Sequence, residues 1–276
     1  MIGFNCPVCN GELFEDGKSL KCTLGHCFDI SKFGYVNLLM SSKSSAKHHG
    51  DDRLMVRARR DFLDKGYYSF LCDKLCEICC DRLENAVILD AGCGECYYSS
   101  AVLNALKEKD KKAFMLGVDI SKAALEFAFK RKSGVSCAVG SVFKLPVDDS
   151  SVDCVLNVFS PEAFEEYKRV LKNGGILIRV IPLENHLFSL KEAVYDKPYL
   201  NDVPDGIIDG FVLEDEIRIS KEIIVSSNED IQNLFKMTPY YYKTGISDQQ
   251  KLDALEALSS VAEFGIRIYR KDNNNA

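Results

Sequence analysis

The chain has 276 residues, of which 46% are hydrophobic and 28% charged, and its net charge is −6. This composition is typical of a globular protein with one large domain and a small appendage. The sequence contains no run of about 18 apolar residues, which excludes a membrane-spanning helix. It also lacks a basic and then apolar leader, so the twelve cysteines are expected to be thiols or metal ligands in a reducing cytoplasm.

The first 40 residues contain two close pairs of metal-binding side chains. Cys6 and Cys9 form one pair, and Cys22 and His26 form the other after an intervening stretch with two turn signals. Two such pairs are typical of a tetrahedral zinc site. A metal would also substitute for the hydrophobic core that so short a segment lacks. Cys27, directly after His26, is an alternative fourth ligand, and free or buried cysteines are the alternative to a metal site.

Basic residues are concentrated near the beginning of the chain. Residues 17–60 contain nine Lys and Arg against three Asp and Glu, whereas residues 61–276 carry a net charge of −9. A basic arm on an acidic body is expected if the arm binds a polyanion, although a solvated surface explains the charge as well. We expect three parts: a zinc-binding module over 1–40, a polar basic linker over 41–52 and a large domain over 53–276.

The large domain is predicted to begin with two helices. The first covers about 53–65, is capped by Asp51-Asp52 and carries three arginines on one face: Arg53, Arg57 and Arg60. The second covers about 69–83. Its four cysteines have the spacing of an apolar helix stripe, which favours core packing over a second metal site: Cys72, Cys76, Cys79 and Cys80.

Short apolar strands then alternate with helices. Strands are expected at 86–89, 113–118, 135–139, 152–158 and 176–181, and helices at about 97–109 and 122–132. This pattern predicts an α/β fold with a mostly parallel sheet covered on both faces. Near the end, a helix at about 248–261 is expected to precede an edge strand over 264–269.

The first of these strands runs into an acidic loop with two glycines. The loop contains Asp90, Gly92, Gly94 and Glu95, and Asp119 ends the next strand 25 residues after Gly94. Glycines permit a tight turn and a close backbone approach to a ligand, and an acid at this distance suits two ribose hydroxyls. Because the loop acids would repel phosphates, the pattern favours a cationic nucleoside without phosphates, such as S-adenosylmethionine.

Two further segments, residues 145–153 and 169–175, precede the fourth and fifth strands of the large domain. Together with the glycine loop they resemble the class I S-adenosylmethionine-dependent methyltransferases. The resemblance implies a Rossmann-like fold with a mostly parallel seven-stranded sheet.

The resemblance narrows to a bacterial family, the RlmA/RrmA type, that methylates guanine N1 in 23S ribosomal RNA. It is carried by the zinc ligands and by residues 28–29, 34–39, 58–68, 92–98, 185–187 and 237–239. It implies that Tyr68, the loop at Gly94-Glu95 and His186 contact the methyl donor, and that the zinc module helps to form a cleft for an RNA hairpin. Cys96 replaces a third glycine of the family, and we expect its side chain to crowd the donor or tilt the following helix.

The target base is expected at the end of the fourth strand of the large domain. There Asn157 can hydrogen-bond a base edge and Phe159 can stack on a base, although core packing is an equal alternative for Phe159. The sequence does not identify the group that accepts the N1 proton. Four basic side chains are expected to contact RNA phosphates: Lys43, Lys47, Arg57 and Arg60.

Two other functions are compatible with the sequence. One is a methyltransferase acting on another RNA or on a small molecule, although a small-molecule enzyme would need neither the zinc module nor the basic arm. The other is a non-catalytic RNA-binding protein that keeps a donor pocket, which the cysteine at position 96 would permit. The oligomeric state is left open, with a homodimer as one alternative.

Overall fold

A computed structural model describes residues 3–40 and 50–272 of the chain. Its N-terminal part is a small antiparallel sheet of three strands, β1 at Phe14–Asp16, β2 at Ser19–Lys21 and β3 at Cys27–Asp29. Gly17 lies in the turn between β1 and β2 with a φ of 64°, a conformation that favours glycine.

The remaining strands form one large sheet. They are β4 (Val36–Asn37), β5 (Ala86–Ala91), β6 (Ala113–Asp119), β7 (Ser136–Val139), β8 (Val152–Val158), β9 (Leu171–Pro182), β10 (Phe211–Val225) and β11 (Leu258–Lys271). Their order is β10-β11-β9-β8-β5-β6-β7-β4. Among the described residues, β11 is the one strand of this sheet that is antiparallel to the rest. The predicted class I methyltransferase sheet is therefore confirmed, with β4 added at one edge.

Nine α-helices and a 3-10 helix surround this sheet in the described part of the chain. They are α1 (Arg53–Asp64), α2 (Ser69–Arg82), α3 (Tyr97–Glu108), α4 (Lys122–Arg131), α5 (Phe164–Val170), α6 (Phe188–Val194), α7 (Asn228–Lys236), α8 (Tyr240–Lys243), α9 (Ile246–Gln249) and the 3-10 helix Gln250–Ala254. Asp52 caps α1 as predicted, since its side chain accepts a 2.9 Å hydrogen bond from Met55 N. No helix of the described residues is long and apolar enough to cross a membrane.

The N-terminal sheet shares a hydrophobic core with the large sheet. Phe4, Leu13 and Leu20 are buried in the same cluster as Leu116 and Val118 of β6. Main-chain hydrogen bonds from Asn5 N to Pro146 O (2.8 Å) and from Leu38 N to Val139 O (2.9 Å) also join the two parts. The predicted boundaries at residues 40 and 52 stay predictions. The core and the hydrogen bonds join the N-terminal part to the large sheet.

The cysteines of α2 lie in or beside the core. Cys72 and Cys79 are buried, and Cys76 and Cys80 are partly buried against the same hydrophobic cluster. This burial agrees with the helix-stripe interpretation.

The prediction for the C-terminal region was wrong in two respects. The chain forms a 3-10 helix at Gln250–Ala254 and then enters β11 at Leu258, where a helix was expected. β11 is also an interior strand, because β10 covers its other side. The alternation of polar and apolar residues in β11 indicated an edge strand with one exposed face. However, Arg267 is buried, with its Nε 3.3 Å from Glu216 Oε2 on β10.

Candidate active site and metal centre

The two predicted pairs of zinc ligands converge in the N-terminal sheet. One ligand atom from each of Cys6, Cys9, Cys22 and His26 lies within 4.8 Å of all the others. His26 Nδ1 is 3.5 Å from Cys6 Sγ and 3.3 Å from Cys22 Sγ, and the sulfurs of Cys9 and Cys22 are 3.6 Å apart. Zinc bonds of about 2.0–2.3 Å in a tetrahedron require ligand separations of about 3.3–3.8 Å, so this donor set fits zinc.

Tight turns hold each pair in this arrangement. Asn10, with a φ of 58°, donates its N–H to Cys6 O at 2.8 Å, and Gly25, with a φ of 83°, donates to Cys22 O at 2.9 Å. Cys27, the alternative fourth ligand, is exposed on β3 and lies outside this group. The Cys-x2-Cys and Cys-x3-His spacings therefore produce two turns that face each other.

The environment of Cys22 favours its thiolate. Burial opposes ionisation, but backbone hydrogen bonds from His26 and Leu24 prevail and lower the pKa of Cys22 to about 6. A thiolate is the form that binds zinc.

Asp90 lies at the carboxyl end of β5 and is buried. Its Oδ2 accepts a hydrogen bond from Ser99 Oγ on α3, whereas its buried Oδ1 has no hydrogen-bond partner among the described residues. Burial raises the pKa of Asp90 to about 7. The unpartnered oxygen is a site that a cationic or hydrogen-bond-donating ligand would satisfy.

Glu95 provides a second unpartnered oxygen in the same loop. Its Oε1 accepts a 2.7 Å hydrogen bond from Arg131 on α4, which also pairs with Asp64 at 2.8 Å, while its buried Oε2 has no partner in the described chain. Burial raises the pKa of Glu95 to about 7 despite the guanidinium.

Asp119 holds the glycine loop against the end of β6. Its Oδ2 accepts from Gly94 N at 2.8 Å and its Oδ1 accepts from Ser121 N at 2.7 Å. Each carboxylate oxygen has a second lone pair, so both can still accept a hydrogen bond from a ribose hydroxyl. Burial raises the pKa of Asp119 to about 6.

Tyr68 and His186 belong to one buried aromatic group. Tyr68 Oη is 3.5 Å from His186 Nε2, and both rings contact Phe264 of β11, with centroid distances of 5.0 and 4.7 Å. Because His186 Nδ1 accepts from Glu263 N at 3.2 Å, the ring proton is on Nε2. Burial lowers the pKa of His186 to about 3, so this imidazole is neutral.

The end of β8 lies directly against the glycine loop. Gly92 has a φ of 91°, and a Cβ there would come within 2.4 Å of Ser160 Cβ. Asn157 is 2% exposed, and its amide donates to Ser160 Oγ at 3.0 Å, Pro161 O at 3.1 Å and Tyr167 Oη at 2.9 Å. These contacts tie the Asn157 side chain to the residues that follow β8. Its predicted contact with a base edge stays a prediction.

Phe159 is the candidate that remains accessible at this point. It is 45% exposed, has a φ of 55° and lies with its ring centroid 5.4 Å from that of Phe264 and 6.5 Å from that of Tyr98. A positive φ in a bulky residue is a strained conformation that is found mostly at functional sites. The exposed ring is available to stack on a planar ligand.

Cys96 is buried at the start of α3. The residue has a φ of 62° at the start of α3, and its buried Sγ is 3.8 Å from Cys137 Sγ of β7. The thiol packs with Leu125, Ala128 and Val139. The expectation that Cys96 crowds the donor or tilts α3 has not been tested and stays a prediction.

The predicted RNA-binding residues have different surroundings. Arg57 is 69% exposed, with its Nε 3.6 Å from Asp61 Oδ2. Arg60 donates to Asp61 at 2.9 Å and covers the ring of Phe127 at 4.6 Å. Arg59 pairs with Asp51 and donates to Met237 O at 3.3 Å, so its guanidinium is engaged within the protein. Lys43 and Lys47 lie outside the described residues.

Sequence reasoning missed three residues that shape this site: Arg131, Ser160 and Phe264. Arg131 is the last residue of α4, a common position for a cation, so sequence alone gives no sign of its contact with Glu95. Ser160 lies two residues after the end of β8 and donates to Ala91 O at the end of β5. Phe264 was assigned to a strand, but its contact with the aromatic group depends on the interior position of β11.

Two family models match different parts of this chain. The family model described as "RlmA, N-terminal", a zinc ribbon, matches residues 4–47, and one described as "Methyltransferase domain" matches residues 83–243. A crystal structure of a Bacillus halodurans protein titled as a methyltransferase has a TM-score of 0.48 and 19% identity, covering 73% of this chain and 99% of the other.

Two relatives are similar over most of their length. The Bacillus subtilis protein named "Putative 23S rRNA (guanine-N(1)-)-methyltransferase YxjB" is 37% identical over 204 residues, 71% of this chain and 70% of the relative. The Streptomyces fradiae "23S rRNA (guanine(748)-N(1))-methyltransferase" is 34% identical over 194 residues, 68% of this chain and 66% of the relative. The predicted family is confirmed: this chain belongs to the RlmA-type 23S rRNA (guanine-N1)-methyltransferases, which are S-adenosylmethionine-dependent and carry an N-terminal zinc ribbon.

Proposed function

We propose that this chain transfers a methyl group from S-adenosylmethionine to N1 of a guanine in a hairpin of 23S ribosomal RNA. The observation that carries the proposal is the position of Phe159. Phe159 follows β8 with a strained backbone and an exposed ring. Its neighbour Ser160 packs directly on Gly92 of the donor loop. A base stacked on Phe159 would thus be held beside the donor.

The residues around the glycine loop have roles that suit this donor. S-adenosylmethionine supplies a methyl group on a positively charged sulfonium. The unpartnered oxygens of Asp90 and Glu95 can face its cationic groups, and Asp119 can accept from the ribose hydroxyls. Tyr68 and His186 form an uncharged wall, because the imidazole is neutral and the phenol is buried.

Catalysis in this arrangement consists mostly of positioning. The leaving group is already activated, so the protein has to align guanine N1 with the methyl group and exclude water. Asn157 contributes indirectly, because its amide holds Ser160 and Pro161 and thereby fixes the backbone that carries Phe159. Guanine N1 has a proton at neutral pH, so an acceptor is also required.

The RNA would be held by the basic face of α1 together with the zinc ribbon. Arg57 is the exposed arginine of the predicted pair, and the ribbon is packed into the core of the same sheet. Phosphate contacts of this kind fix the position of an RNA without reading its sequence. A homodimer and a cytoplasmic location remain predictions, and light scattering after gel filtration tests the first of them.

Methyl transfer to unmodified large-subunit RNA tests the function. We expect label from the donor to appear in 1-methylguanosine, identified by mass spectrometry of the digested RNA. Phe159→Ala should reduce the transfer rate by about 10-fold or more, the scale of a lost stacking contact, and leave donor affinity nearly unchanged. Phe143→Ala, which removes another exposed phenylalanine, is the matched control.

Three results would contradict the proposal or part of it. Label in a different nucleoside, or in a small molecule only, would favour a methyltransferase with another substrate. Donor binding by calorimetry without transfer to any RNA would favour a non-catalytic RNA-binding protein. Equal loss in the Phe159 and Phe143 variants would remove Phe159 from the target site.

A further inference from the structure

A second group of cysteines lies beneath the donor loop, apart from the zinc ribbon. Cys93 and Cys96 flank Gly94 and Glu95, and Cys137 is on β7. The three sulfurs all lie within 4.8 Å of one another, and those of Cys96 and Cys137 are 3.8 Å apart. About 3.8 Å is also the separation of two thiolates bound to one metal ion with metal–sulfur bonds of about 2.3 Å.

A turn, a left-handed residue and a glycine on the neighbouring strand bring these thiols together. Cys96 N donates to Cys93 O at 2.9 Å, which closes a turn between the two cysteines. Cys96 itself has a left-handed conformation that a glycine adopts more easily, yet it carries a side chain. A Cβ on Gly117 of β6 would lie 2.8 Å from Cys93 Sγ, so the absence of a side chain there leaves room for the thiol.

The surroundings isolate the three sulfurs from water and from other ligands. Cys93 and Cys96 are buried, Cys137 is partly buried, and apolar side chains pack around them: Leu125, Ala128 and Val139. Within the described part of the chain, no histidine or carboxylate joins the group. A site made only of sulfur selects soft ions over magnesium or calcium.

We propose that Cys93, Cys96 and Cys137 form a second metal site that binds a soft, thiolate-preferring ion, such as Cu⁺ or Cd²⁺, in a three-sulfur environment. Each thiol that becomes a ligand releases its proton, and the bound cation offsets only part of the resulting negative charge, more with Cd²⁺ than with Cu⁺. The ion would tie the donor loop to β7, because Gly94 and Glu95 lie between two of the ligands.

The cysteines of α2 differ from this group in their arrangement. Four cysteines on that helix follow its apolar stripe, and they form no ligand group in the part of the chain that the structure describes. The group beneath the donor loop joins two separate segments and includes a residue in a strained conformation. Strain of this kind is maintained where the surrounding structure requires it.

Titration of the full-length protein with Cd²⁺ tests the site, read from the ultraviolet charge-transfer absorption of cadmium thiolates. Wild-type protein should bind about two equivalents, one in the ribbon and one beneath the loop. Cys96→Gly and Cys137→Ala should each reduce this to about one equivalent. Glycine accepts the backbone conformation of Cys96, so this variant is expected to fold. Cys76→Ala, which removes a partly buried cysteine outside both groups, should keep both equivalents.

Any of four outcomes would overturn the assignment. The first is a single equivalent in wild-type protein, and the second is two equivalents in both Cys96→Gly and Cys137→Ala. The third is a disulfide between Cys93 and Cys96, found by mass spectrometry under reducing buffer conditions, which would make the group a redox pair. Loss of the second equivalent in Cys76→Ala would show that the signal comes from elsewhere.

Discussion

Asp90 and Glu95 are buried acids whose ionisation should control donor binding. Burial raises the pKa of each to about 7, so below that pH the free protein holds them increasingly in the neutral form. A cationic donor favours the ionised form. Its apparent affinity should therefore weaken as pH falls below about 7, by up to about 10-fold per pH unit for each acid that must lose a proton.

Calorimetry with S-adenosylmethionine between about pH 5.5 and pH 8 measures this dependence. Asp90→Asn is neutral throughout the range, so its affinity should vary less with pH than that of the wild type. A dissociation constant that is independent of pH in the wild type would show that neither carboxylate needs to be charged when the donor binds.

Asp119 is predicted to bind the donor ribose while it holds the glycine loop. Asp119→Ala should weaken donor binding by about 1.5–3 kcal/mol, the scale of lost hydrogen bonds to a charged group. Asp209→Ala, which removes an acid whose side chain is 88% exposed, should have no effect. An unchanged dissociation constant for Asp119→Ala, in a variant with a normal melting temperature, would refute the ribose contact.

At the scale of elements, the contact between the ends of β5 and β8 depends on one glycine. Gly92→Ala would place a Cβ 2.4 Å from Ser160 Cβ, at a φ of 91°. We expect a loss of about 1–3 kcal/mol in the free energy of unfolding and weaker donor binding. Gly17→Ala is a matched control, because its φ is 64° but no atom lies near the added Cβ. Equal destabilisation of the two variants in chemical denaturation would mean that backbone strain, and not the clash, is responsible.

Helix α1 should contribute to RNA binding mainly through Arg57. Arg60 is already engaged by Asp61 and Phe127, whereas the side chain of Arg57 is 69% exposed. Arg57→Gln should weaken RNA binding and reduce the slope of log affinity against log salt by about 1. The effect of Arg60→Gln should be smaller, and donor affinity should stay the same in both.

Arg270→Gln is the control for this measurement, since Arg270 contacts Glu214 and Gly174 O near the amino end of β9, at the opposite end of the sheet. A donor affinity that falls while RNA binding survives in the Arg57 variant would place α1 in the donor site.

Elements with a local signal were predictable from the sequence, and those defined by distant contacts were not. β5 and β6 are mostly apolar runs with an acid at or near the carboxyl end, so their positions follow to within two residues from the sequence itself. β10 was not predicted, because most of its 15 residues are exposed or partly exposed and its stability comes from pairing with β11. The same partner makes β11 an interior strand.

The candidate site was also predictable only where its signals are local in the sequence. The zinc ligands and the donor acids lie close together in sequence or at strand ends, where spacing identifies them. The partners of Asn157 and Glu95 depend on how loops and helices meet, and Arg131 reaches Glu95 from a helix 36 positions away. Residue type and spacing therefore identified the candidate groups of the site, but not which of their hydrogen bonds are already used.

At the scale of the whole molecule, the zinc ribbon and the methyltransferase sheet are parts of one core. Cys22, a predicted zinc ligand, is buried in the same cluster as Phe4 and the residues of β6. Loss of the metal should therefore affect more than the first 40 residues. It would release the turns that hold Leu13 and Leu20 against the sheet.

Cys9→Ser, made together with Cys96→Gly to exclude the second site, tests this coupling. Zinc content should fall from about one equivalent to a small fraction, and the melting temperature should fall by about 5 °C or more, since the ribbon no longer covers the sheet. RNA affinity should fall much more than donor affinity, because the donor acids lie on β5, β6 and the loop before α3.

Cys27→Ser in the same background removes an exposed cysteine beside the ligands and should change none of these quantities. Full zinc content and RNA affinity in the Cys9 variant would mean that the metal is held elsewhere. An unchanged melting temperature with zinc absent would mean that the ribbon and the sheet fold independently despite their shared core.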